Sequence, residues 1–174
     1  MKSNIHNPNA TIPKTLVLAL GNPILSDDGV AWEIADRLAH RATGTSTDIL
    51  KESAATLDLV PRISQYERLI VIDAIQLGTA AVGTVHRLSL ADLRETIHLT
   101  SAHDLNFASA FAVGEKLGYP TPREVQIFGV EVKELRRFAD TCTREVADKL
   151  DVIAEEIGRE IFAAVSCRQR VEGS

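Results

Sequence analysis

Leu16-Val17-Leu18-Ala19-Leu20-Gly21-Asn22-Pro23-Ile24-Leu25-Ser26-Asp27-Asp28-Gly29 decides how the rest of the chain is understood. With Thr15, the five apolar residues form a run the length of a strand, and their lack of alternation marks a strand covered on both faces. Gly21-Asn22-Pro23 breaks the run, and two adjacent carboxylates follow just before a helical pattern in which Val30, Ile34 and Leu38 share a stripe. Open α/β sheets gather ligands beyond the carboxyl ends of their strands, so acids in such a loop stand where sites are built. Asp27, Asp28 or both are also placed to cap that helix.

The remainder alternates strands with helices. Thr47–Leu50 is a weaker strand, and Leu57–Gln65 a short helix with Leu57, Val60 and Ser64 expected to face inward. Leu69–Ala74 is the clearest strand, rich in β-branched residues and carrying Asp73 after four apolar residues. Only Ile75–Val82 separates it from Gly83–Leu88, too short for a parallel crossover, so Gly83–Leu88 is expected to run antiparallel. Ser89-Leu90-Ala91-Asp92 resembles a capping box before a short helix toward Ile97. Thr100–Asp104 leads into a helix bearing Leu105, Ala108, Phe111 and Ala112, Val125–Val130 is a fifth strand, and Thr141–Val165 is a long helix with Val146, Leu150, Ile153, Ile157 and Ile161 on its apolar stripe. This order predicts an α/β three-layer sandwich: a mixed, mostly parallel five-stranded sheet with helices on both faces.

With 174 residues the chain is expected to be one domain, residues 1–174, with loose tails at 1–14 and 167–174. A net charge of −5 argues against an extended nucleic-acid footprint. Residues 1–14 contain no apolar core of a signal peptide, and no stretch approaches bilayer-spanning length. Cys142 and Cys167 are too few for a disulfide framework or a paired metal site. A cytoplasmic protein without membrane or nucleic-acid partners is expected, and nothing in the sequence demands more than a monomer.

Taken singly, the chemistry-bearing residues have bland explanations. An Asp-Asp pair before a helix is commonly a cap and a solvated neighbour, and a lone His before a helix a surface residue. Asp73 is different in one respect: a carboxylate at the end of an apolar strand is partly desolvated, which is costly unless it is paired or metal-bound. If the first strand lies beside Leu69–Ala74, Asp28 and Asp73 share one sheet edge, and a helix N-terminus could bring His103 to them. Two carboxylates and an imidazole suit a divalent transition ion such as nickel or zinc, with positions left open for substrate or water. No G-x-S-x-G, Walker A, H-E-x-x-H or G-x-G-x-x-G motif occurs. Ser53 and Ser101 have no evident base, and His86 and His98 read as structural or solvent-facing.

Four blocks together resemble the hydrogenase maturation proteases, which trim the C-terminal extension from the large-subunit precursor of nickel–iron hydrogenases. They are Leu18-Ala19-Leu20-Gly21-Asn22-Pro23-Ile24-Leu25-Ser26-Asp27-Asp28-Gly29-Val30, Val71-Ile72-Asp73-Ala74, Ser101-Ala102-His103-Asp104-Leu105 and Phe128-Gly129-Val130-Glu131. The resemblance implies that Asp28, Asp73 and His103 are the metal-binding residues, with Asp28 and Asp73 as catalytic candidates. It implies that the ion is nickel already installed in the precursor, with zinc or another divalent ion as a surrogate. It also implies a cleavage that needs no serine or cysteine nucleophile. Where family members commonly carry a Gly-rich segment, this chain has Lys51-Glu52-Ser53-Ala54-Ala55-Thr56. Such a backbone is less able to approach a substrate chain closely, which bears on precursor specificity.

Two other classes compete. A non-catalytic chaperone could bind the same precursor, and the altered Lys51–Thr56 segment favours it. A phospho-acceptor receiver domain also has an acidic pair after its first strand and an acceptor Asp, with Lys133 as support. It keeps its acids nearer the strand end, however, and gives His103 no role.

Overall fold

The computed structural model describes residues 14–95 and 102–169, with residues 93–95, 102–106 and 163–169 described by backbone alone. The chain order is β1 (Thr15–Leu20), α1 (Val30–Ala42), β2 (Thr47–Glu52), α2 (Val60–Ile63), β3 (Arg68–Ile75), β4 (Val85–Leu88), α3 (Leu90–Glu95), α4 (Ala102–Lys116), β5 (Glu124–Glu131), α5 (Arg144–Ala147) and α6 (Leu150–Gln169). The sheet order is β2-β1-β3-β5-β4. β1 pairs in parallel with β2 and β3, β3 in parallel with β5, and β4 antiparallel with β5. The mixed, mostly parallel sheet and the antiparallel return of residues 83–88 are as expected from the short 75–82 connection.

β1 and β3 are buried along their whole lengths because helices cover both faces of the sheet. Side chains alternate across a strand, so each strand feeds two cores. Val17, Ala19, Ile70 and Ile72 pack with α1 and α6 through Ile34, Leu38, Ile153 and Ile157. Leu16, Leu18, Leu69 and Val71 pack on the other side with Leu59, Ile63, Phe107 and Phe111. All five positions expected on the long C-terminal stripe are buried: Val146, Leu150, Ile153, Ile157 and Ile161.

Four expectations require correction or restriction. The inward face of the 57–65 segment is Leu59 and Ile63, both buried, whereas Leu57 is 55% exposed. A 3-10 turn over Leu57–Leu59 precedes α2, with Pro61 in its first turn, and this shifts the buried phase by two residues. The long C-terminal helix is two pieces: Thr143 is the N-cap of α5, and a turn at 148–149 separates α5 from α6. α6 reaches Gln169, so 167–169 are helical rather than a loose tail, and Lys14 is already tied in through its carbonyl, which accepts the Glu67 and Arg68 N–H groups. Residues 1–13, 96–101 and 170–174, with the remainder of both expected tails and Ile97, His98 and Ser101, lie outside the described residues. The capping box is present: Ser89 N–H donates to Asp92 Oδ2 at 2.6 Å and Asp92 N–H to Ser89 Oγ at 3.3 Å.

The corrected phase of 57–63 is directly testable by urea denaturation. Ile63→Ala is expected to cost about 2–4 kcal/mol, as for other large-to-small core changes, and Leu57→Ala less than about 0.5 kcal/mol.

Candidate functional site

The site begins where β1 ends. Ala19 is level with Ile72 across the β1–β3 ladder, so Asp73 stands at the level of Leu20, the last residue of β1. Both strands point the same way, and both deliver acids to the carboxyl edge of the sheet. Asp73 is buried, and its Oδ1 accepts the N–H of Ala74 at 2.8 Å. By strand alternation its side chain lies on the face of Val71 and Ile75, the face covered by α2 and α4.

Beyond Leu20 the chain doubles back. Gly21 has φ +143°, and a Cβ built on it would fall 2.0 Å from the carbonyl oxygen of Asp28. No side chain fits there. The Gly21 N–H donates to the Glu52 carbonyl at 3.2 Å, which ties the turn to the end of β2. Asp28 then closes the loop on itself: its Oδ2 accepts the Asn22 N–H at 2.8 Å. Asp28 sits, buried, in a 3-10 turn over Ser26–Gly29 that leads into α1 and lies against β3.

Asp27 has a separate task. Its carboxylate is buried, with Oδ1 accepting the Thr143 N–H at 2.6 Å and Oδ2 accepting the Thr143 hydroxyl at 3.1 Å and the Glu134 N–H at 3.2 Å. Both acids stand at the helix entry, as expected, in the 3-10 turn before α1, but the capping bond is corrected: neither that turn nor α1 has a side-chain N-cap bond. Asp27 instead fastens the 134–143 loop, including the N-cap of α5, to the turn that carries Asp28. Ser26, at φ +47°, supports the same junction by donating its N–H to the Ala139 carbonyl at 3.0 Å.

Position 103 falls in the first turn of α4, four residues before Phe107 and eight before Phe111, whose side chains pack on the face that carries Asp73. α4 leads toward the start of β5, and its fifteen residues span roughly 20 Å. Its first turn is therefore directed toward the carboxyl edge. The His103 side chain lies outside the described residues, and among those described no three His, Cys, Asp or Glu side chains form a metal-holding group. The structure thus brings the elements bearing Asp28 and Asp73 side by side, with the backbone of position 103 on the same face as Asp73.

Glu131 closes the Phe128–Glu131 block, and the sequence alone assigns it no role. Buried at the end of β5 and paired across the sheet with Ile75, its Oε1 accepts the Leu77 and Gly78 N–H groups at 2.9 and 2.8 Å, while Oε2 lies 3.1 Å from His86 Nε2. It holds the loop that leaves β3 just after Asp73 and gives His86 a structural place. The signal for it is the one used for Asp73: an acid closing an apolar strand.

In the atypical 51–56 segment, side chains turn to neighbours of their own. The Lys51 ammonium bonds Asp36 and lies 5.6 Å from the Trp32 ring centroid. The Glu52 carboxylate takes Arg62 at 2.5 Å, and Ala55 is buried. Cys142 is half-buried beside Ser26; burial, and then the negative charge of Asp27, push its thiol up to about 11. At neutral pH it stays protonated, which removes it as a nucleophile.

The comparisons with known proteins agree with this architecture. The family model for the hydrogenase maturation protease matches residues 32–160, and the chain belongs to that family. No curated protein sequence matches it. Among solved structures, the hydrogenase maturating endopeptidase HybD from Escherichia coli superimposes with a TM-score of 0.72 at 23% identity, covering 92% of this chain and 94% of that one. The NiFe hydrogenase maturation protease HybD from Thermococcus kodakarensis gives a TM-score of 0.66 at 23% identity, covering 84% and 97%. The endopeptidase HycI from Escherichia coli gives 0.65 at 20% identity, covering 84% and 91%. At these identities the likeness is one of fold.

Two outcomes follow from the geometry. Gly21→Ala is expected to destabilise the protein by about 3 kcal/mol or more, since positive φ and a backbone collision act together; thermal and urea melts read this. Cys142, with roughly a thousandth of its thiol ionised at pH 8, is expected to resist iodoacetamide in the folded protein and to react once unfolded, as read by peptide mass.

Proposed function

We propose that this protein is an endopeptidase that removes the C-terminal extension of a nickel-loaded hydrogenase large-subunit precursor. Asp28, Asp73 and His103 meet the nickel carried by that substrate. The observation that supports this most is the parallel pairing of β1 with β3, which sets two buried carboxylates at one sheet edge. Carboxylates taken out of water at one edge are costly unless paired or metal-bound. An imidazole added to two carboxylates gives a borderline donor set suited to nickel, with zinc or another divalent ion as a surrogate.

In this mechanism the precursor is recognised through the nickel it already holds, so an unloaded precursor is passed over. The nickel of the substrate would polarise the scissile carbonyl or a water near it; Asp28 or Asp73 would take a proton from the attacking water and return it to the leaving amine as the C–N bond breaks. Asp27, occupied by Thr143 and Glu134, is not available for that work. The protein acts in the cytoplasm as a monomer; no described helix is long and apolar enough to cross a membrane.

The decisive experiment incubates the protein with nickel-loaded and nickel-free precursor and follows the large subunit by mass. Trimming of the loaded form alone is expected, and equal trimming of both would overturn nickel recognition. Asp28→Ala and His103→Ala are each expected to abolish trimming while leaving the far-ultraviolet circular dichroism unchanged.

A further inference from the structure

The two loops that Asp27 joins also meet on the outside of the molecule. Ile24 is 55% exposed and Phe138 79% exposed, although both are large apolar side chains. They do not sit on loose loops. Leu25 and Ala139 form a parallel bridge, Ala139 N–H donates to the Ile24 carbonyl at 3.1 Å, and Asp27 N–H donates to the Glu134 carbonyl at 3.1 Å. The result is a fixed apolar ridge beside the turn that carries Asp28. Leu117 and Tyr119, also exposed, close α4 at the opposite edge of the sheet, far from the turn that carries Asp28.

The ridge is also basic. Arg136 and Arg137 are exposed immediately before Phe138, in a chain of net charge −5. Glu134, two residues before Arg136, has its Oε1 taken up by the Arg136 and Arg137 N–H groups at 2.9 and 3.0 Å, and those bonds hold its carboxyl below the usual range. Asp140, exposed two residues beyond Phe138, lines the small cavity that Pro23, Ser26, Trp32 and Lys51 also wall.

We infer that the Ile24–Phe138 ridge, with Arg136 and Arg137, docks the precursor through a segment that pairs an exposed apolar side chain with neighbouring carboxylates. The inference rests on the endopeptidase function proposed above, and it assigns the contact that selects a precursor to a surface outside the carboxylate site. Exposed apolar residues held on a rigid support lose little conformational freedom on binding, as befits an interface anchor. Flanking arginines favour an acidic partner and make association sensitive to salt.

The test measures precursor affinity by biolayer interferometry and trimming by mass on the same samples, using the wild type, the Ile24→Ser/Phe138→Ser double variant and the Arg136→Glu/Arg137→Glu double variant. All four side chains are exposed, and unchanged melting temperatures will confirm intact folds. Both double variants are expected to bind at least ten-fold more weakly while retaining the trimming rate at saturating precursor, and the arginine variant to lose most of the salt dependence. Unchanged affinity in the serine variant, with the wild type trimming normally, would overturn the ridge. Wild-type binding without trimming, weakened by the variants, would support the ridge and overturn the endopeptidase function. Absence of wild-type binding would overturn both.

Discussion

Everything at the candidate site depends on the contact between Gly21 and the carbonyl of Asp28. The chain leaves β1 at the sheet edge and must return to begin α1 against the same sheet. The reversal is so tight that a Cβ on residue 21 would lie 2.0 Å from the Asp28 oxygen. Because Gly21 is bare, the turn over Ser26–Gly29 can rest on the end of its own strand and against β3. Asp28 is thereby fixed by backbone geometry as well as by its bond from the Asn22 N–H.

The adjacent acids illustrate how position divides labour. Asp27 and Asp28 are both buried, yet the hydrogen bonds of Asp27 lead away from the sheet edge, to Thr143 and Glu134. A buried carboxylate accepting three bonds is structurally satisfied and rigidifies what it touches. Asp27 thus carries the connection between residues 22–29 and 134–143, and through it the outer ridge and the inner acids become parts of one support. Glu131 does comparable work on the far side of Asp73 by holding the Leu77–Gly78 backbone and His86. Three carboxylates with different bonding surround the end of β3, and only their bonding tells them apart.

The departure at Lys51–Thr56 sharpens the picture of the rim. Lys51 is drawn onto Asp36 and Trp32, Glu52 onto Arg62, and Ala55 into the core. Side chains thus clothe a stretch of backbone that glycines would leave open. Family membership, fixed by the match over 32–160, is compatible with such local change because the sheet and its two cores do not depend on it.

By itself, the sequence determined the strands, their direction and the class of fold. Uninterrupted apolar runs at Leu16–Leu20 and Leu69–Ile72 permit little but buried strands, and the short 75–82 connection rules out a parallel crossover. It also singled out Asp28, Asp73 and His103, which have bland explanations one at a time and stand out only in combination and through the resemblance of the blocks that carry them. It misjudged the phase of residues 57–63 and the break at 148–149, where a 3-10 turn and an interrupted helix preserve an apolar pattern while altering its period. The partners of Asp27 and Glu131 could not be read from it at all. Thr143 lies 116 residues beyond Asp27, and His86 lies 45 residues before Glu131. Such pairs arise only when the folded sheet brings distant loops to one edge, and no local propensity or spacing encodes that meeting.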